Sequence, residues 1–173
     1  TIAEFLPTAG FSANITAGCA PLTVAYTDSS TGPVNAWQWT FPGGSPTSST
    51  AQNPVVTYSN SGTYAASLVV ETNWGSDELN QQNLVVVNDI PNVGFGHAAN
   101  QNEVVFTNTT TNATSYAWAF DDGTGATSTA QSPSHTFPGP GTYTVVLTAA
   151  NGCGTASFST NIIISAIAPT AAF

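Results

Sequence analysis

Apolar residues in this chain recur at every second position, in short runs separated by Gly, Pro, Asn and Ser. Trp37, Trp39 and Phe41 alternate with Gln38 and Thr40, and Tyr64, Ala66, Leu68 and Val70 form a second alternating set. Successive side chains of a strand point to opposite faces, so a period of two puts each set on one face. Tyr116, Trp118 and Phe120 repeat the first pattern, and Tyr143, Val145, Leu147 and Ala149 repeat the second. No long stretch carries the helical period. Short strands punctuated by turn residues predict an all-β, antiparallel, two-sheet sandwich, with about seven strands in each ~80 residues. The expected core positions are Trp39, Phe41, Tyr64, Leu68, Trp118, Phe120, Tyr143 and Leu147.

The pattern occurs twice. Trp39-Thr40-Phe41 matches Trp118-Ala119-Phe120, 79 positions on, and Ser49 to Pro54 matches Ser128 to Pro133 at the same spacing. Gly62-Thr63-Tyr64 matches Gly141-Thr142-Tyr143 likewise. Self-similarity at one spacing marks a duplicated unit. Pro7-Thr8-Ala9-Gly10-Phe11 resembles Pro91-Asn92-Val93-Gly94-Phe95, and Pro169 to Phe173 resembles that opening again. The expected organisation is one sandwich over residues 1–88, a second over 91–165, and the start of a third copy over 169–173. Thr1 is not an initiator methionine and no signal peptide is visible, so the stretch reads as a mature or internal fragment.

Composition narrows the function. The 173 residues include nine Asp or Glu and no Lys or Arg, a formal net charge of −9. An ordinary globular domain is roughly one quarter charged; here the figure is 5%. Phosphate backbones and anionic lipid headgroups are bound through Lys and Arg, so nucleic-acid and anionic-membrane binding are excluded. A Lys Schiff base is excluded too. No apolar run approaches the ~18 residues of a membrane span. Proteases that cut after Lys or Arg have no site.

Copy one carries Trp39, Phe41, Asn53-Pro54, Tyr58, Gly62, Tyr64, Leu68 and Asn73. Copy two carries Trp118, Phe120, Asp122-Gly123, Pro133, Phe137, Gly141, Tyr143, Val145, Leu147 and Asn151. In this order the residues resemble the PKD (polycystic kidney disease) domain family of immunoglobulin-like β-sandwiches. Copy one departs from the pattern with Pro42-Gly43-Gly44 in place of an acidic turn, and copy two with Ser132 where Asn is usual. Gly18 to Val24 resembles copies found in secreted multidomain proteins of Bacteroidota-like bacteria. The resemblance implies a spacer or binding module in adhesins, secreted proteases, chitinases or collagenases.

Cys19 and Cys153 are the only cysteines. They are either one orphan thiol per copy or a disulfide. The topology implied by the resemblance puts Cys19 at the C-terminal end of copy one and Cys153 at the N-terminal end of copy two. An interdomain bridge is therefore expected, and it would stiffen the short linker Asn88-Asp89-Ile90-Pro91.

Other candidates carry weaker signals. Asp121 and Asp122 open a Gly-rich turn, a candidate for Ca²⁺ ahead of the weaker Asp77-Glu78, although the spacing is not that of an EF-hand and a plain hairpin turn is the simpler reading. No other cofactor is expected. Asp77-Glu78 reads as a solvated face. Trp74, in the Asn73-Trp74-Gly75 hairpin where copy two has Gly152, is placed to stack on a sugar ring or on a neighbouring domain. His135 reads as structural, and His97 lies in the first strand or loop of copy two. No HExxH or GxSxG motif occurs, so an enzyme is not expected. Asn14, Asn108 and Asn112 head N-glycosylation sequons.

Two functions remain. One is a structural or adhesive stalk or fibre segment of a secreted or cell-surface protein, with neighbouring repeats as partners and self-assembly into filaments as a variant. The truncated strands near Ile2–Leu6 and Ile167–Phe173 would then dock. The other is an accessory module that binds a polysaccharide or an extracellular protein for a secreted hydrolase.

Overall fold

A computed structural model describes residues 6–166, and these contain strands and turns but no helix. The expected third-copy start, residues 169–173, lies outside the described residues, as do nearly all of the proposed docking strands. Two compact units divide between Asp89 and Ile90.

Among the described residues, the first unit has eight strands: β1 (Phe11–Ala13), β2 (Ala17–Cys19), β3 (Leu22–Asp28), β4 (Ala36–Thr40), β5 (Ser48–Ser49), β6 (Val55–Tyr58), β7 (Gly62–Thr72) and β8 (Gly75–Asn88). One sheet runs β1-β3-β6 and the other β2-β8-β7-β4-β5. The edge segment therefore switches sheets after Ala13. Its second half, β2, pairs parallel with β8, Cys19 lying opposite Asn88. This corrects the expectation of purely antiparallel pairing. A bulge in β8, with Asn83 at φ 55°, shifts the register between Tyr64 and Ala66.

The described residues of the second unit form seven strands: β9 (Phe95–Asn100), β10 (Glu103–Asn108), β11 (Ser115–Asp121), β12 (Thr127–Ser128), β13 (Ser134–Thr136), β14 (Gly141–Asn151) and β15 (Gly154–Ile164). Its sheets run β13-β10-β9 and β12-β11-β14-β15. Gln101 and Asn102 turn β9 directly back along β10, and all six residues of β9 pair there. Among the described residues, no segment of the second unit corresponds to β2.

Each unit holds its own core between its sheets. Trp39, Phe41, Leu68, Tyr26 and Tyr58 are buried in the first, and Trp118, Phe120, Leu147, Phe106 and Phe137 in the second. Each fully buried large side chain contributes about 1.5–3 kcal/mol. Among the described residues the one contact between an acidic and a basic side chain is that of His135 with Asp122, so cores and backbone ladders hold these units. Tyr64 and Tyr143 sit at the margin rather than inside, packed against their cores. Each hydroxyl is satisfied there by donating to a loop carbonyl, that of Asn60 at 2.8 Å and that of Gly139 at 2.9 Å. Trp37 is also marginal, its indole N–H donating to Asp28.

Candidate functional site

The residues shared by the two units tie loops to sheets. The Trp39 indole donates to the Ala51 carbonyl, and the Trp118 indole to the Ala130 carbonyl, both at 2.9 Å. The backbone N–H of Asp28 is capped by the Asn53 side chain, and that of Asn108 by the Ser132 hydroxyl. Ser132, a departure in sequence, thus satisfies the same donor as the asparagine it replaces.

The units differ where Asp28 is matched by Asn108. Asp28 accepts from the Ser30 N–H, the Trp37 indole and Gln52, at 2.9, 2.8 and 3.0 Å. Burial alone would raise its pKa. The hydrogen bonds from Ser30, Gln52 and Trp37 outweigh burial and hold the carboxyl below its ordinary value. Asn108 keeps the local turn, accepting from the Thr110 N–H at 2.8 Å, but its buried Nδ2 has no partner. With that nitrogen buried, the Asn108 sequon cannot carry a glycan in the folded unit.

The candidate metal turn is engaged internally. Asp122 Oδ1 accepts from the Thr124 hydroxyl at 2.6 Å and the Thr124 N–H at 2.9 Å, and Oδ2 lies 2.7 Å from His135 Nε2. These bonds, those from Thr124 first, depress the Asp122 pKa to about 2. Both carboxylate oxygens therefore have protein partners, and Asp121 is exposed on β11. Among the described residues no group of three or more His, Cys, Asp or Glu could hold a metal ion. His135 stacks on Phe120 with 4.1 Å between ring centroids. This pair escaped the sequence reading. The signal was there: copy one has Gly43 and Val56 at the matching positions, so both changed together. Asp77, expected on a solvated face, accepts the Ala9 N–H at 2.8 Å. His97 is exposed on β9.

Two open grooves of about 540 and 520 Å³ lie at matching places over the larger sheets, the first beside Pro42 and Ser67, the second beside Asp121 and Val146. Asp121 is the one carboxylate lining either groove.

The β7–β8 and β14–β15 turns are equivalent. Thr72 pairs with Gly75 and Asn151 with Gly154, so Trp74 matches Cys153 and not Gly152. The Thr72 hydroxyl accepts the Trp74 N–H, and the Asn151 side chain accepts those of Cys153 and Gly154. Trp74 is 51% exposed. A Cβ placed on Gly75 would meet Leu6 at 2.8 Å, and one on Gly154 would meet Ile90 at 3.1 Å. In each unit the entering chain thus passes beside this turn. Both cysteines are disulfide-bonded.

No helix among the described residues is long and apolar enough to cross a membrane. Comparison with curated proteins finds no match. Among solved structures, the PKD1 domain of Vibrio anguillarum Epp is 26% identical, with a TM-score of 0.41, covering 44% of this chain and 95% of that one. The PKD1 domain of the Vibrio cholerae metalloprotease PrtV is 25% identical, with a TM-score of 0.40, covering 44% and 98%. The ectodomain of mouse nectin-like molecule 4, with three immunoglobulin domains, is 13% identical and covers 93% of this chain and 66% of that one. Its TM-score of 0.53 marks a likeness of fold. The model of the PKD domain family matches twice, over residues 5–87 and 89–164, and the chain belongs to that family as two tandem, immunoglobulin-like modules.

Proposed function

We propose that this chain is a non-catalytic structural or adhesive segment, part of a stalk or extracellular fibre of a larger secreted or cell-surface protein. A Cys19–Cys153 bridge locks its two units. The observation that carries this reading is where each cysteine sits in its own unit. Cys19 lies opposite Asn88, the last residue of the last strand. Cys153 lies in the turn that Ile90 passes. Asn88 and Ile90 are two residues apart in the chain, so each cysteine stands at the linker-side pole of its unit. The chain has no third cysteine with which either could pair. A bridge closing so long a loop is worth at most about 5 kcal/mol in the chain-entropy account. Its larger effect is to limit bending at the linker. Disulfides persist in oxidising compartments, which agrees with an extracellular setting.

Peptide mapping without reductant tests the bridge, and small-angle scattering tests its consequence. A Cys19–Cys153 cross-linked peptide is expected, as is a broader distribution of dimensions after reduction or in Cys19→Ser/Cys153→Ser. Two alkylatable thiols in native material, or scattering indifferent to reduction, would refute the reading.

Trp74 supports a second reading, an accessory module that binds a polysaccharide or an extracellular protein. A half-exposed indole at a turn tip suits stacking on a sugar ring. The equivalence of Trp74 with Cys153 favours the alternative use, contact with a preceding neighbour. Pull-down on insoluble chitin, cellulose and collagen separates the two: retention lost in Trp74→Ala supports binding, and no retention of the native chain removes it.

A further inference from the structure

The two units treat one sheet edge differently. In the first, β2 adds to the outer edge of β8 over Ala17–Cys19. In the second, β15 is the outermost strand of its sheet, and no strand pairs with its other edge among the described residues. The cause lies in the chain: β9 is joined to β10 by a two-residue turn, so no segment is left over to cross to β15.

An eleven-residue edge presents a row of backbone donors and acceptors, which natural proteins ordinarily blunt with Lys, Pro or a bulge. β15 has none of these. Ile163 on it is 70% exposed and Phe158 40%. Every charge on the chain is negative apart from the histidines, yet residues 141–164 contain no charged residue. A basic partner would therefore find no attraction here. A second copy of the chain would meet no like-charge repulsion here, in a molecule of net charge −9.

We infer that β15 is a self-recognition edge: two copies of the chain pair β15 with β15, antiparallel, about a two-fold axis at Ser159. The outward residues of β15 are Thr155, Ser157, Ser159, Asn161 and Ile163. In this register Thr155 of one copy faces Ile163 of the other, a β-branched pair, and Ser157 faces Asn161, a hydroxyl–amide pair. Such cross-strand pairs are the unit of sheet stabilisation. The inference rests on the structural reading above and gives that segment a partner.

Sedimentation velocity of the full chain over roughly 10 µM to 1 mM, where small transient interfaces associate, measures the pairing. A concentration-dependent dimer is expected, with hydrogen exchange slowed over residues 154–164 as concentration rises. Ile163→Glu weakens association by roughly tenfold or more. Adding Thr155→Lys to it restores association, because each Lys then faces a Glu of the other copy. A monomer throughout the range would overturn the inference, as would a dimer indifferent to Ile163→Glu or protection confined to another strand. Should Ile163→Glu not fold, the exchange map of the native chain decides alone. The Cys19–Cys153 peptide map does not depend on any of these results, so the two readings fail separately.

Discussion

Asp122 Oδ2 and His135 Nε2 lie 2.7 Å apart beside the Phe120 ring, at positions that in the first unit hold Gly43 and Val56. The second unit has a polar clasp between its β11–β12 turn and β13 where the first has a glycine and an aliphatic side chain. Asp122, with its pKa depressed to about 2, stabilises the fold above the unfolded-state carboxylate value of about 4. That contribution is lost as the pH falls from about 4 through 2. Acid should thus loosen β13 and the 121–126 turn before the rest of the second unit, and Asp122→Asn should blunt the effect. Exchange measured by mass spectrometry between pH 5 and pH 2, corrected for intrinsic rates, checks both; uniform loosening would contradict them.

Tyr26 and Tyr58 offer a test of coupling. Their hydroxyls meet at 2.8 Å inside the first core, and burial, ahead of the contact with its partner, raises the Tyr26 pKa. The second unit has Phe106 and Phe137 at these positions, both buried. Removing one hydroxyl leaves the other buried without its partner, at a cost of about 1–3 kcal/mol, whereas removing both can be nearly neutral. Tyr26→Phe and Tyr58→Phe should each lower stability, and the double variant should be less destabilised than the sum of the two. Guanidinium unfolding of the four chains completes the cycle. Strict additivity would show that the hydroxyls do not act as a pair.

Alternation made the central strands legible, because Trp39, Leu68, Trp118 and Leu147 alternate with polar neighbours over several residues. The repeat spacing made the two units legible, because whole stretches such as Ser49 to Pro54 recur. What escaped were features that depend on partners distant in sequence. β2 is three residues long, and nothing in Ala17-Gly18-Cys19 signals a parallel pairing with residues 86–88. The turn carboxylate of Asp122 was visible, but its contact with a histidine thirteen residues on was not. Trp37 follows the inward period but stops at the margin, because its N–H has Asp28 to bind there.

Gly44 should resist substitution where Gly152 tolerates it. A Cβ on Gly44 would stand 2.4 Å from a Val56 methyl and 3.2 Å from the Tyr58 ring, both buried, whereas one on Gly152 would meet nothing within 4 Å. Overpacking of a close-packed core typically costs about 1–3 kcal/mol. Gly44→Ala is expected to lower the first unit's stability by about that much and Gly152→Ala by well under about 1 kcal/mol. Calorimetry of the two variants compares them, and equal losses would mean that the core relaxes around the added methyl.

The mismatch between Asp28 and Asn108 predicts an improvement. In the first unit the carboxylate at this position gathers the Trp37 indole and Gln52. The second unit retains Gln131 at the site of Gln52 but has Tyr116 at the site of Trp37, and an amide whose buried Nδ2 has no partner. Asn108→Asp removes the unpaired donor, and Tyr116→Trp supplies the missing one. The double variant should gain on the order of 1 kcal/mol, the usual net contribution of one intramolecular hydrogen bond. The reverse change, Asp28→Asn, sets an amide nitrogen against two donors and should cost about 1–3 kcal/mol. The sign of the pH dependence separates electrostatics from packing. Because the Asp28 pKa is lowered in the folded unit, its contribution is present above about pH 4 and lost below it. The penalty of Asp28→Asn should therefore shrink on acidification, while the gain in Asn108→Asp/Tyr116→Trp should shrink with it. Denaturant unfolding at pH 7 and pH 3 measures both, and a penalty for Asp28→Asn that is the same at the two values would show that the carboxylate acts through shape alone.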